Sequence, residues 1–234
     1  MKLFFLFFLI FCNSISLSHG VFNGDLRVKY INKILDSQSV IQKKTSKRIK
    51  ANAYYEIGII LERIKKILND EILSHGQIQD LEKFLLIEQL KTNNLELSFS
   101  KKKGLFKSNL DPLKKFLILA PENIKSSDAA FLIFKNTFFD NFLSNPLEPL
   151  NIDKKRIIDM IKMGENLLAR NELKEEKEEI LFLLAVFYLQ AKEYNFLEKK
   201  ICDDKISEII QIFKDSYSKS EKLLTLEYLN KNKN

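Results

Sequence analysis

Apolar positions recur every three or four residues along most of this chain, the period of a helix with one buried face. Leu26, Ile31, Ile34 and Leu35 open a first short helix, with Ser37-Gln38-Ser39 as its candidate interruption. Tyr54, Ile57, Leu61, Ile64 and Leu68 form one continuous stripe and predict a long helix from about Lys47 to Asn69. His75-Gly76 breaks the pattern, and Ile78, Leu81, Leu85 and Leu86 predict a third helix over Gln77 to Lys91. Two such helices with a short connection make an antiparallel hairpin.

The pattern changes after Thr92. Leu95, Leu97 and Phe99 alternate with polar residues and lead into Lys101-Lys102-Lys103-Gly104. A short strand and an extended loop both fit; without a second convincing strand to pair with, a loop is expected. Asp111-Pro112 then starts a helix that stops at Ala120-Pro121, with Asp as cap and Pro in the first turn. Ser126 or Ser127 caps the next, over Asp128 to Leu143, and Pro146 and Pro149 end its connection. Asn151 or Asp153 caps a helix reaching Leu173, and the charge run Lys174 to Glu179 opens a strongly apolar one over Ile180 to Gln190. Three more follow: one after Lys192, one over Asp204 to Tyr217 and one over Ser220 to Leu229. The expected fold is all-α, a multi-helix array of antiparallel hairpins. Its expected organisation is a leader at 1–20, an N-terminal hairpin region at 21–100, a loop or hinge at 101–110 and a C-terminal helical domain at 111–234.

Composition agrees with that reading. Only 6 Gly and 4 Pro in 234 residues leave few tight turns. The 38 Lys and Arg against 31 Asp and Glu give a formal charge of +7, with the two signs interspersed as on solvated helix faces. The excess admits an anionic membrane or cell-wall surface as partner.

The first twenty residues add a destination. Met1-Lys2, the apolar run Leu3 to Phe11 and the small residues up to Ser18-His19-Gly20 have the grammar of a secretory signal. Cleavage after Ser18 or after Gly20 satisfies it. A third reading makes Cys12 a lipidated N-terminus, although Phe11 stands where lipoprotein processing wants a small residue. The expected location is outside the cytoplasm, in the periplasm or on the outer membrane. Cleavage would leave Cys202 as the one cysteine, so no internal disulfide framework is expected and Cys202 reads as a buried thiol near a helix junction.

Candidate chemistry is sparse. His75 is the one histidine beyond the leader and stands in a turn, so a catalytic triad would have to use it. Glu175, Glu176, Glu178 and Glu179 form a charge run without a pocket signature. No phosphate loop and no metal-ligand spacing appear, so neither an enzyme nor a cofactor or metal site is expected. Lys43, Lys44, Lys47, Arg48 and Lys50 form one basic cluster, and Lys101, Lys102, Lys103 and Lys107 another; neither is interleaved with aromatics, which argues against nucleic acid. Phe131, Phe134, Phe138 and Phe142 make an aromatic stripe with Phe139 beside it. It reads either as core or as a docking surface for a partner protein.

Two resemblances follow from these residues. Leu181, Leu184, Ala185, Tyr188 and Tyr194 resemble the first helix and turn of a tetratricopeptide repeat, echoed by Tyr54, Ile57, Gly58 and Leu61. Leu197, Asp204 and Ile209 depart from the second-helix pattern. The Lys-, Asn-, Ile- and Phe-rich, Trp-free helical chain also resembles exported envelope proteins of Borrelia-type spirochaetes, of the kind needed for outer-membrane integrity and cell fission. Members of that kind carry a peptidoglycan-binding LysM module, which is not visible in these 234 residues. The resemblance implies a role in the envelope through another envelope protein. The expected function is thus an exported protein–protein interaction domain, with a lipid-anchored surface protein binding a host or envelope ligand as the alternative and a hydrolase using His75 as a distant third.

Overall fold

The long apolar stripe becomes the longest of the described helices. The computed structural model describes residues 26–95, 97–101, 104–142 and 153–231. Among them are nine α-helices: α1 (Leu26–Gln42), α2 (Lys47–His75), α3 (Leu81–Thr92), α4 (Asp111–Leu119), α5 (Ser126–Phe142), α6 (Lys154–Leu168), α7 (Lys177–Glu193), α8 (Lys199–Ser216) and α9 (Glu221–Lys231). A 3-10 turn spans Asn171–Leu173, and β1 (Phe99–Ser100) pairs with β2 (Leu105–Phe106). The all-α expectation is met. The leader at 1–20, Cys12, Pro146, Pro149 and the side chain of Phe142 lie outside the described residues.

The chain divides into two compact units, and the break falls between Asn151 and Ile152. The expected hinge at 101–110 is therefore corrected. That segment is tied to α2, and α4 and α5 belong with α1–α3.

In the first unit α2 is wrapped on two faces. Ile57, Ile60, Leu61, Ile64 and Leu68 meet Tyr30, Ile31 and Ile34 of α1, Leu86 and Leu90 of α3, and Leu95 and Leu97 beyond it. The other face carries Tyr55, Gly58, Glu62, Lys65 and Asn69. Here Phe116 of α4 meets Tyr55 with ring centroids 5.1 Å apart, while Leu113 lies on Gly58. As residue numbers rise along α4 they fall along α2, so the two helices are antiparallel. Asn69 pins β2: its amide donates to the Phe106 carbonyl at 3.1 Å, and the Phe106 N–H donates to its side-chain oxygen at 2.8 Å.

Local chemistry sets the boundaries. Ser46 caps α2 by accepting from the Ile49 N–H, and Gly76 ends it in the left-handed region at φ +74°. Asp80 accepts from the Glu82 and Lys83 N–H groups, so α3 begins at Leu81 and not at Gln77. Ser37 does not interrupt α1, because its hydroxyl donates to Glu56 of α2 at 3.1 Å. The loop expected at 92–109 contains a ladder after all, since Gly104 at φ +66° turns the chain so that Phe106 faces Phe99. Asp111 is not the cap of α4: Leu110 is, and Pro112 sits in the first turn.

In the second unit α7 is buried on every side. Ile180 to Leu189 are all buried, as expected of a helix that is apolar all round. It packs with α6, α8 and α9. α8 is one helix where two were expected, so Asp203-Asp204 is no junction and Cys202 lies in its first turn. Leu181, Leu184, Ala185 and Tyr188 are buried as the repeat-like pattern needs, but so are Phe182, Leu183, Val186 and Phe187, and burial singles out no repeat register.

A Cβ on Gly58 would stand 2.5 Å and 2.6 Å from Leu113 Cδ2 and Cγ. Gly58→Ala gains about 1 kcal/mol of helix propensity and overpacks the contact by roughly 1–3 kcal/mol. Urea unfolding of Gly58→Ala should show a lower midpoint, and Gly58→Ala with Leu113→Ala should cost less than the sum of the two. A raised midpoint for Gly58→Ala would mean that Leu113 does not define this contact.

Candidate functional site

The most elaborate polar arrangement in the first unit lies on the second face of α2. Lys65 Nζ donates to Glu62 Oε2 at 2.7 Å, to Ser108 Oγ at 2.6 Å and to Asn136 Oδ1 at 2.5 Å. The Asn136 amide donates in turn to Glu62 Oε2 and to the Leu132 carbonyl, both at 2.8 Å. One lysine thus joins α2, the segment before α4 and α5. Glu62 Oε1 is buried without a partner. The pairing of Ser108 with Lys65 invites comparison with a serine–lysine dyad. Such a dyad needs the lysine as a base. Here the ammonium spends its three donors on three acceptors, one of them a carboxylate, so the cluster reads as a clamp.

Polar contacts in the second unit join neighbouring helices. Tyr188 donates to Glu165 at 2.7 Å; burial first, and that carboxylate second, push its phenol above the ordinary range. Lys192 reaches Asp203 at 2.6 Å. Glu178 accepts from Ser220 at 2.6 Å and borders an open cleft of about 350 Å³ with Ser216, Tyr217 and Lys219. It also lies 3.4 Å from Lys222. Ser218 and Ser220 complete its lining, and Glu178 is engaged by both Ser220 and Lys222.

The structure redistributes the residues singled out by sequence. Phe131, Phe134 and Phe138 are buried, so the aromatic stripe is core and not an open docking surface. Phe139 is half-buried and meets Phe138 edge-on at 5.7 Å. α5 turns so much of its apolar surface inward that Asn136 and Thr137 are buried with it. His75 is exposed at the end of α2. Its neighbour Glu71 is bonded to Lys83, which holds that carboxyl below its usual range. Among the described residues no group of three His, Cys, Asp or Glu could hold a metal ion. No described helix is long and apolar enough to cross a membrane. Lys43, Lys44, Lys47 and Arg48 are exposed, as is Lys101, while Lys102 and Lys103 lie outside the described residues.

Sequence reasoning passed over the α2 clamp. Its signal was present: Glu62, Lys65 and Asn69 recur at helical spacing beside the apolar stripe. Compared with protein-family models, curated proteins and solved structures, the chain matches none.

Two measurements test these assignments. Lys65→Met strands a largely buried carboxylate and should cost about 2–3 kcal/mol in urea unfolding. Glu62→Met with Lys65→Met should recover part of that loss; equal stability of wild type and Lys65→Met would remove the clamp. Cys202 is buried, and burial, with Asp203 adding to it, pushes its thiol up. Iodoacetamide at mildly alkaline pH should leave Cys202 unmodified in the native protein and label it in denaturant. Rapid native labelling would show that the first turn of α8 opens.

Proposed function

We propose that this chain is an exported, non-enzymatic binding module of the bacterial envelope that docks another envelope protein. The leader-like segment at 1–20 and the likeness of the chain to spirochaetal envelope proteins support the location. The observation that carries the binding role is a set of large apolar side chains left in solvent at the C-terminal end of α2. Leu73 of α2, Leu81 and Phe84 of α3 and Phe99 of β1 are all exposed.

These side chains stand on a fixed frame. Gly76 and Asp80 close the α2–α3 corner, and Lys83 bonds across it to Glu71. Phe99 packs edge-on against Phe106 at 5.1 Å, and Asn69, one turn before Leu73, holds the Phe106 backbone. A preordered apolar surface loses little entropy on binding, and aromatic side chains are the usual anchors of protein interfaces. The buried stripe on α5 leaves this end as the better docking surface.

Photo-crosslinking residues placed at Phe84 and Phe99 in living cells should give one discrete protein adduct. Truncation of a central aromatic typically costs 2 kcal/mol or more, roughly 30-fold in affinity. Phe84→Ala with Phe99→Ala should therefore abolish the adduct formed from Leu81 while leaving the melting temperature unchanged. Adducts arising only from other faces would refute this surface.

A further inference from the structure

The opposite end of α2 has a different character, and it carries a second inference, independent of the protein partner. Antiparallel packing of α4 on α2 brings the end of α4 and the following turn to the start of α2. Two isoleucines stand there, Ile118 at 79% and Ile124 at 82% exposure, the most exposed large apolar side chains described. Ile49, in the first turn of α2, is exposed as well. The turn that carries Ile124 is held by its own hydrogen bonds: Asn123 N–H to the Ala120 carbonyl at 3.2 Å, Ser126 N–H to the Asn123 carbonyl at 2.8 Å, and Ser126 Oγ to the Ala120 carbonyl at 2.8 Å. The turn holds the backbone at Ile124, the helix holds it at Ile118, and both side chains stand in solvent.

Basic side chains surround them. Lys125 lies over the Tyr55 ring at 4.9 Å and Lys115 over the Tyr54 ring at 5.5 Å, which places both flanks of the turn on the same stretch of α2. Lys114 is exposed beside Lys115, and Lys43, Lys44, Lys47 and Arg48 are exposed at the entry to α2. The acidic groups near this stretch are Glu56 of α2, Glu122 and Asp128, while Asp111, at the far end of α4, lies 3.7 Å from Lys114. Positive charge dominates.

We propose that this end of the first unit docks on an anionic lipid surface. Ile118 and Ile124 would enter the headgroup boundary while the lysines bind lipid phosphates. A convex pair of aliphatic side chains ringed by lysines complements a negatively charged, deformable bilayer surface. A protein pocket would call instead for an aromatic or arginine anchor. Lysine stems lie along apolar surface and keep their ammonium groups at headgroup level.

Vesicle flotation tests this with the full chain, its N-terminal run present in every arm. Vesicles of equal parts phosphatidylglycerol and phosphatidylcholine should retain the protein roughly tenfold better than pure phosphatidylcholine, and high salt should erase the difference. Ile118→Ser with Ile124→Ser should lower partitioning on anionic vesicles roughly tenfold without moving the melting temperature. Lys114→Gln, Lys115→Gln and Lys125→Gln together should weaken the salt dependence while leaving the apolar pair intact. Equal retention on both vesicle types, or wild-type partitioning by the isoleucine variant, would overturn the proposal. So would a crosslinker at Ile118 that captures a protein while the isoleucine variant still floats normally, since the occupant would then be a protein. None of these substitutions touches Phe84 or Phe99, so the crosslinking result at the other end is read separately.

Discussion

The first unit depends on one helix being covered on both sides. The faces of α2 are offset by a single residue, Ile57 against Gly58 and Leu61 against Glu62, about 100° around the helix. The apolar face buries branched side chains against α1 and α3. The other cannot work that way, because it carries Glu62, Lys65 and Asn69. It is closed by two devices: Gly58 removes a side chain so that Leu113 can lie on the backbone, and Lys65 satisfies its neighbours from three elements. If either device failed, α4 and α5 would lose their seat even with the apolar core intact.

The second unit solves the same problem mainly with apolar contact. α7 is apolar all round, and its neighbours present one-sided apolar faces, such as Ile157, Ile161 and Leu167 on α6 and Ile206, Ile209 and Phe213 on α8. Apolar contact is non-directional, so such a core tolerates rearrangement better than a network of fixed donors and acceptors. Its polar contacts include Tyr188 with Glu165 and Lys192 with Asp203.

The two proposals place two kinds of surface at the two ends of α2. Twenty-nine residues of helix span about 43 Å, enough to separate a lipid contact from a protein contact. A rigid rod with a basic, aliphatic end and an aromatic end is suited to holding a partner at a set distance from a membrane. Apolar exposure carries both readings, and local charge tells them apart.

Helical period, scarce Gly and Pro, and a cap residue such as Asp153 were enough to read an all-α fold from the chain, because they act within a turn or two of themselves. The rest depended on long-range contact. Which side of α5 faces inward is settled by packing, so its phenylalanines left both a core and a docking reading open until Phe131, Phe134 and Phe138 were seen buried. At Phe99 a strand and a loop both fitted, and the loop was preferred because the two residues of the second strand show no period; Asn69, 37 positions from Phe106, holds that strand in place. Ser37 was read as a break because its partner, Glu56, lies on another helix. Periodicity reports which residues share a face; only the folded chain decides what that face meets.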